Sequence, residues 1–172
     1  MESRSSSEPF ELLGLPVQFD LDASVIERAF FDRSKAWHPD RFASAPAAER
    51  VAALSRARAL NDAYQVLKKP VPRAEYLLAR AGMTIGDNER LDGAFLMEIL
   101  ELREELAEAR VKNLTTKVEA LQRAMVARRT DAVGALDPLF RANDLAAIKR
   151  TLIVLRYLDR YLEECDVALD ED

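Results

Sequence analysis

Two residue types that build metal centres and nucleophilic sites are almost missing from this chain. Its 172 residues include one cysteine, Cys165, and one histidine, His38. A zinc site made of His and Cys needs three or four such ligands, so the chain cannot supply one by itself. A lone cysteine also excludes an internal disulfide framework and suits a reducing compartment. Any Cys–His or Ser–His catalytic pair would have to use His38. Glycine is scarce, at five residues, which excludes collagen-like and low-complexity classes. The β-branched alternation that marks strands is nearly absent, and no apolar run approaches a membrane span. Basic charge is not in surplus: 30 acidic against 25 basic side chains leave a net charge of −5. A global field for nucleic acid or anionic lipid is therefore absent, and neither is expected as a partner. The first nine residues, Met1 to Pro9, are polar and Ser-rich, with no apolar core for a signal peptide. A soluble cytoplasmic protein is the expectation.

What is present is helical periodicity, in a composition 49% hydrophobic and 32% charged. Phe10 to Leu13 reads as a short helix ending near Gly14 and Pro16. Asp20 or Asp22 can cap a second helix running to about Trp37, with Ile26, Ala29, Phe30 and Trp37 on one face. Pro39 stops it, because proline disfavours helical geometry in the residue before it. A loop follows from Asp40 to about Ala47. The third helix spans about Ala48 to Lys69 with a stripe of Leu60, Ala63, Tyr64 and Leu67, and Pro70 and Pro72 close it. A short fourth helix covers Arg73 to Arg80. Gly82 to Asp92 is the best linker candidate. Three more helical stretches follow, Gly93–Arg110, Lys112–Leu136 and Asn143–Ala168. Gly134 and Pro138 predict a break or kink near Asp137. The acidic end, Asp166 to Asp172, is expected to fray. The fold class is all-α: a disordered tail over 1–8, an antiparallel helical hairpin with short flanking helices over 9–80, a linker over 81–92, and a three-helix bundle over 93–172.

Unusual residues converge at one place, Trp37-His38-Pro39-Asp40-Arg41-Phe42, between two antiparallel helices. Pro39 fixes the turn, so His38 and Asp40 are presented with little entropy left to lose on binding. The ring of His38 offers a donor or acceptor, and the Asp40 carboxylate can take a paired Arg contact. A general base would want an oriented nucleophile in an enclosed pocket. Neither is visible here, so no catalytic residue is assigned; the competing readings are an incidental turn and a small enzyme using His38. The order helix, His-Pro-Asp, loop, helix, followed by Leu60-Asn61-Asp62-Ala63-Tyr64-Gln65-Val66-Leu67, resembles a J-domain. That is the module that stimulates DnaK-type ATPase chaperones, and the resemblance makes His38, Pro39, Asp40 and Arg41 chaperone-binding. Generalist J-domains usually carry a contiguous basic run on the second helix. Here Glu27 and Asp32 interrupt Arg28, Arg33 and Lys35, and Phe31 takes one expected basic place. The functional reading is a partner footprint centred on Arg28 and Lys35, seven residues apart; the other is ordinary solvated helix surface.

Pro70-Val71-Pro72-Arg73-Ala74-Glu75-Tyr76-Leu77-Leu78 and Phe95-Leu96-Met97-Glu98-Ile99-Leu100-Glu101-Leu102-Arg103-Glu104-Glu105-Leu106 extend the likeness. They resemble the iron–sulfur co-chaperone family HscB over about residues 10 to 165. The resemblance implies a non-enzymatic protein without a cofactor. Its implied partners are a dedicated HscA-like chaperone and an IscU-like scaffold on which iron–sulfur clusters are built. A J-domain with another client, or a non-catalytic helical adaptor, are the alternatives.

The helix Gly93–Arg110 supports a separate reading from its residues. Phe95, Ile99, Leu102 and Leu106 form one face, sufficient for a bundle core. Leu96 and Leu100, with Met97 beside them, form a second stripe roughly 130° away. Glu101 and Glu104 border it and Arg103 flanks its other side, the pattern of a partner site. In the last helix Leu145, Ile148, Leu152, Leu155, Leu158 and Leu162 make the core face, while Ile153, Tyr157 and Tyr161 are expected to point elsewhere. A helix touching two neighbours also needs a wide apolar face. The HscB resemblance favours binding, since Leu96, Met97, Leu100, Glu101, Glu104 and Tyr157 match positions with which that family grips its scaffold. Met83 and Met125 read as packing residues and Cys165 as inert.

Overall fold

Helix follows helix from Pro9 to Asp170 in the computed structural model, which describes residues 8–86, 89 and 92–170. In order they are α1 (Pro9–Leu13), α2 (Ala23–Ala36), a 3-10 turn (Pro39–Phe42), α3 (Ala47–Leu67), α4 (Pro70–Arg80), α5 (Gly93–Val111), α6 (Thr115–Arg141) and α7 (Leu145–Asp170). No strand occurs among the described residues. No helix is long and apolar enough to cross a membrane among them. The chain divides into two compact units, Met1–Leu77 and Leu78–Asp172. Most of the tail expected over 1–8, and residues 87, 88, 90 and 91 of the expected linker, lie outside the described residues. Within that stretch, Glu89 is held by Lys149 of α7 at 2.7 Å.

In the first unit Asp22 is the cap that starts α2. Its carboxylate accepts the Ser24 amide at 2.8 Å, satisfying one of the donors left free at a helix start. Hydrogen bonding by Ser24 holds that carboxyl below the usual carboxylate range. Phe10, Leu13, Ile26, Leu60, Ala63 and Leu67 form the buried core. Phe30 of α2 stacks on Tyr64 of α3 with ring centroids 4.3 Å apart. Gly14 ends α1 in the left-handed conformation, φ 67°, and a Cβ there would lie 2.4 Å from Arg33 Nη2. The left-handed φ favours glycine, whereas the flexible end of Arg33 could move aside. Arg73, buried near the start of α4, donates through Nη1 to the Leu67 carbonyl at 2.8 Å. A long cation thereby satisfies a carbonyl that the end of α3 leaves without an intrahelical partner.

The second unit is a three-helix bundle in which the α6–α7 pairing is the most extensive. Its largest fully buried side chain is Tyr161, which corrects the expectation that Tyr161 and Ile153 point away from the core. Both are buried, because α7 faces α5 on one side and α6 on the other and so needs a broad apolar arc. The Tyr161 hydroxyl donates to the Leu102 carbonyl of α5 at 3.1 Å, so its polar end is satisfied inside the bundle. Cys165 is buried beside it, and burial pushes its thiol up to about 11, leaving little reactive thiolate near neutral pH.

Two further expectations are corrected. The helix predicted to break or kink near Asp137 does not break: it continues to Arg141 with Pro138 inside it. Proline there crowds the carbonyl four residues earlier, and that residue is Gly134, which has the freest backbone. The last turn closes normally, with the Ala142 amide on the Pro138 carbonyl at 3.0 Å. The acidic end does not fray at Asp166: α7 runs to Asp170, anchored by buried Cys165 and Ala168. Residues 171 and 172 lie outside the described residues.

The bundle's two turns share one solution. Asn113 and Asn143 adopt left-handed φ values of 51° and 54°. The following amides reach back to Ala109 at 2.8 Å and to Leu139 at 3.1 Å. This is the six-to-one closure of a helix end, with asparagine where glycine is usual. Asn143→Val should lower stability by roughly 1–2 kcal/mol because a β-branched residue resists this conformation. Asn143→Gly should match or exceed the parent. Thermal unfolding followed by circular dichroism checks both.

Candidate functional site

Pro39 sets the geometry of the first surface. It takes the first position of the 3-10 turn, where a missing N–H costs nothing. His38 caps the turn with extended backbone, and its Nδ1 accepts the Asp40 amide at 3.3 Å. That bond assigns the proton of the neutral ring to Nε2. The Asp40 carboxylate lies 3.5 Å from the same Nδ1, and the two side chains are 58% and 89% exposed. Two contacting groups are thus held in a fixed relation and open to solvent. Arg41 turns back, its Nη1 donating to the Lys35 carbonyl at 3.2 Å near the end of α2. Trp37 and Phe42 bracket the segment with parallel rings, centroids 6.0 Å apart. Arg28 and Lys35 are exposed on α2, with exposed Phe31 between them on the same side.

The second surface is on α5. Ile99, Leu106 and Ala109 are buried against the bundle. Leu96, Met97 and Leu100 are 42%, 58% and 46% exposed. Phe95 and Leu102, expected in the core, are only partly buried. Glu101 and Glu104 are exposed at the border of the strip. Arg103 is committed elsewhere, to Glu164 of α7 at 2.7 Å. Tyr157 packs edge-on against Phe95, ring centroids 6.2 Å apart. Glu98 takes two hydrogen bonds from Arg128 of α6, at 2.6 and 2.9 Å, which hold its carboxyl below the usual range. The same Arg128 lies over the Phe95 ring at 5.2 Å. These contacts fix which face of α5 turns outward. Among the described residues no three His, Cys, Asp or Glu side chains are grouped to hold a metal ion.

Comparison with known proteins gives both surfaces a context. Residues 8–76 match the DnaJ domain, and residues 91–166 match the family described as the HSCB C-terminal oligomerisation domain. A co-chaperone protein HscB homolog of Vibrio cholerae strain O395 is 40% identical over 150 residues, 81% of this chain and 88% of that protein. The chain belongs to the HscB co-chaperone family. An HscB homolog of Vibrio vulnificus strain YJ016 is 52% identical over 101 residues. That match spans 58% of this chain and 59% of the relative's length, under two thirds of it. The structure of chaperone HscB from Vibrio cholerae superposes with a TM-score of 0.82 at 34% identity, covering 95% of this chain and 98% of that one. Human co-chaperone protein HscB shares the fold, with a TM-score of 0.85 at 24% identity over 97% and 84% of the two chains.

In this HscB-family chain the structure brings His38, Pro39 and Asp40 together at one turn, with Arg41 directed back onto α2. It places Leu96, Met97, Leu100, Glu101 and Glu104 on the outer part of α5, with Tyr157 joined to α5 through Phe95. Reading the sequence missed Arg128, which fixes the rotation of α5, and Arg56, whose guanidinium sits over Trp37. Arg56 is exposed on α3, so nothing in the helical pattern marks it.

The two faces of α5 should separate energetically. Leu96→Ala with Leu100→Ala should change stability by no more than about 1 kcal/mol, since exposed side chains add little to folding. Ile99→Ala with Leu106→Ala should cost about 2–5 kcal/mol at each position. Urea titration of the two double variants reads the difference.

Proposed function

We propose that this protein is a co-chaperone without an active site of its own, working through two binding surfaces. The first, carried by a J-domain over 9–80, docks on a DnaK-type ATPase of the HscA kind and stimulates hydrolysis. The second, carried by the segment 93–172, holds an IscU-type scaffold for iron–sulfur clusters. The observation that carries the reading is the exposed, internally braced His38-Pro39-Asp40 turn within a DnaJ-domain match. Its chemistry is recognition: an Nε2–H donor and a carboxylate able to accept a paired Arg contact, presented without further ordering. Arg28, Lys35 and Arg41 extend that docking face. Leu96, Met97, Leu100, Glu101, Glu104 and Tyr157 supply an apolar strip with an acidic border for the scaffold. Holding both partners at once raises the local concentration of scaffold at the chaperone. Hydrolysis then traps the scaffold in the chaperone's tight-binding state.

His38→Gln should leave the circular-dichroism spectrum and scaffold binding unchanged while abolishing ATPase stimulation at saturating co-chaperone. An unchanged stimulated rate overturns the docking assignment. Leu96→Ala with Leu100→Ala should weaken scaffold binding by a factor on the order of several hundred, at about 2 kcal/mol for each truncated anchor. Isothermal titration against the scaffold measures it.

A further inference from the structure

Trp37 is the sole tryptophan of the chain and directly precedes the exposed tripeptide. Its ring runs parallel to that of Phe42 with 3° between the planes, closing the base of the four-residue segment His38–Arg41. From the other helix of the hairpin, Arg56 of α3 places its guanidinium carbon 3.9 Å from the Trp37 ring centroid. A guanidinium at that distance combines cation–π attraction with dispersion against the ring. Lysine would keep the charge and lose the flat, weakly hydrated guanidinium group. Arg41 braces the segment against α2 through the Lys35 carbonyl. The turn is thus held to α2 by Arg41 and to α3 by Arg56 acting through Trp37.

We infer that Arg56 is a positioning residue for the His38-Pro39-Asp40 turn, keeping it in its binding conformation before the chaperone arrives. The inference rests on the docking function proposed above and deepens it. Affinity for a partner falls with the fraction of molecules in the competent conformation. Loss of the Arg56 contact should therefore raise the concentration needed for stimulation. It should leave the stimulated rate at saturation untouched, because His38 and Asp40 are unaltered.

Arg56→Gln, Arg56→Lys and His38→Gln in the full chain test this, with an HscA-type ATPase as the probe. For Arg56→Gln, quenching of Trp37 fluorescence by acrylamide should increase. The half-maximal concentration should rise about twofold, below the roughly fivefold ceiling set by an exposed cation–π contact because the turn is already largely in its binding conformation, with the plateau rate unchanged. Arg56→Lys should recover part of both effects together. An unchanged half-maximal concentration for Arg56→Gln would overturn the proposal. So would full recovery of stimulation by Arg56→Lys while Trp37 stays readily quenched, since that would make Arg56 a charge contacting the chaperone directly. Normal stimulation by His38→Gln would instead remove the docking reading itself, so the two failures are distinguishable.

Discussion

Proline at position 39 forbids the residue before it from continuing α2, and the geometry of the first unit is arranged around that enforced exit. The chain leaves the helix at Trp37, turns through a single 3-10 segment and re-enters helix at Ala47. A turn so short leaves its side chains outside the core, which is filled by Phe10, Leu13, Ile26, Leu60, Ala63 and Leu67. The exposed histidine and aspartate are consequences of where the break falls. Their mutual arrangement is local, through the Asp40 amide on the His38 ring. The position of the whole turn is set by aromatic and guanidinium contacts to both long helices. Core and turn are separated in this unit: the residues that fill the core are not those that face solvent at the turn.

In the second unit one helix carries both a packed face and an exposed apolar strip. α5 carries apolar residues around much of its circumference, and packing against α6 and α7 can cover only one side of a cylinder. Ile99, Leu106 and Ala109 take that side. Rotation is then fixed by polar contacts at its edges: Glu98 to Arg128, Glu105 to Lys117 and Arg103 to Glu164. These pairs are partly exposed, and each adds little to stability. Their effect is geometric, because together they hold α5 from both neighbours. Pairing Arg103 inward also changes the surface that remains. The border of the Leu96–Leu100 strip is left with Glu101 and Glu104, an acidic edge that favours a partner with cations around an apolar centre.

How much of this could be read from residues alone depended on whether a feature was local in sequence. Helix order, the Asp22 cap and the exposed turn follow from proline, capping and periodicity, which act within a few residues. The two faces of α5 were visible for the same reason. Tyr161 was misplaced because its environment is made by two other helices, and an i,i+4 pattern on α7 alone does not say how wide the covered arc is. Pro138 does not end its helix because a proline in a final turn crowds only one carbonyl, here that of a glycine. Arg56 and Arg128 were missed because each acts on an aromatic ring supplied by another helix. A solitary exposed arginine carries no sequence sign of such a partner.

The charge pattern of α2 bears on why the turn is braced so firmly. Arg28 and Lys35 share an exposed side with Phe31, but Glu27 and Asp32 stand next to them in sequence. Opposite charges this close cancel beyond a Debye length, about 8 Å at physiological ionic strength. With a net charge of −5 on the whole chain, such a face gives little long-range steering toward an acidic partner. Association would then proceed at the ordinary rate of docking two specific patches, and affinity would be decided after encounter. A turn already in its bound shape lowers the ordering cost at that stage, and an exposed aromatic between two cations adds short-range contact. Rigidity and steering act on different rate constants, dissociation for the first and association for the second. The docking proposed above would therefore lean more on the firmness of the turn than on steering by α2.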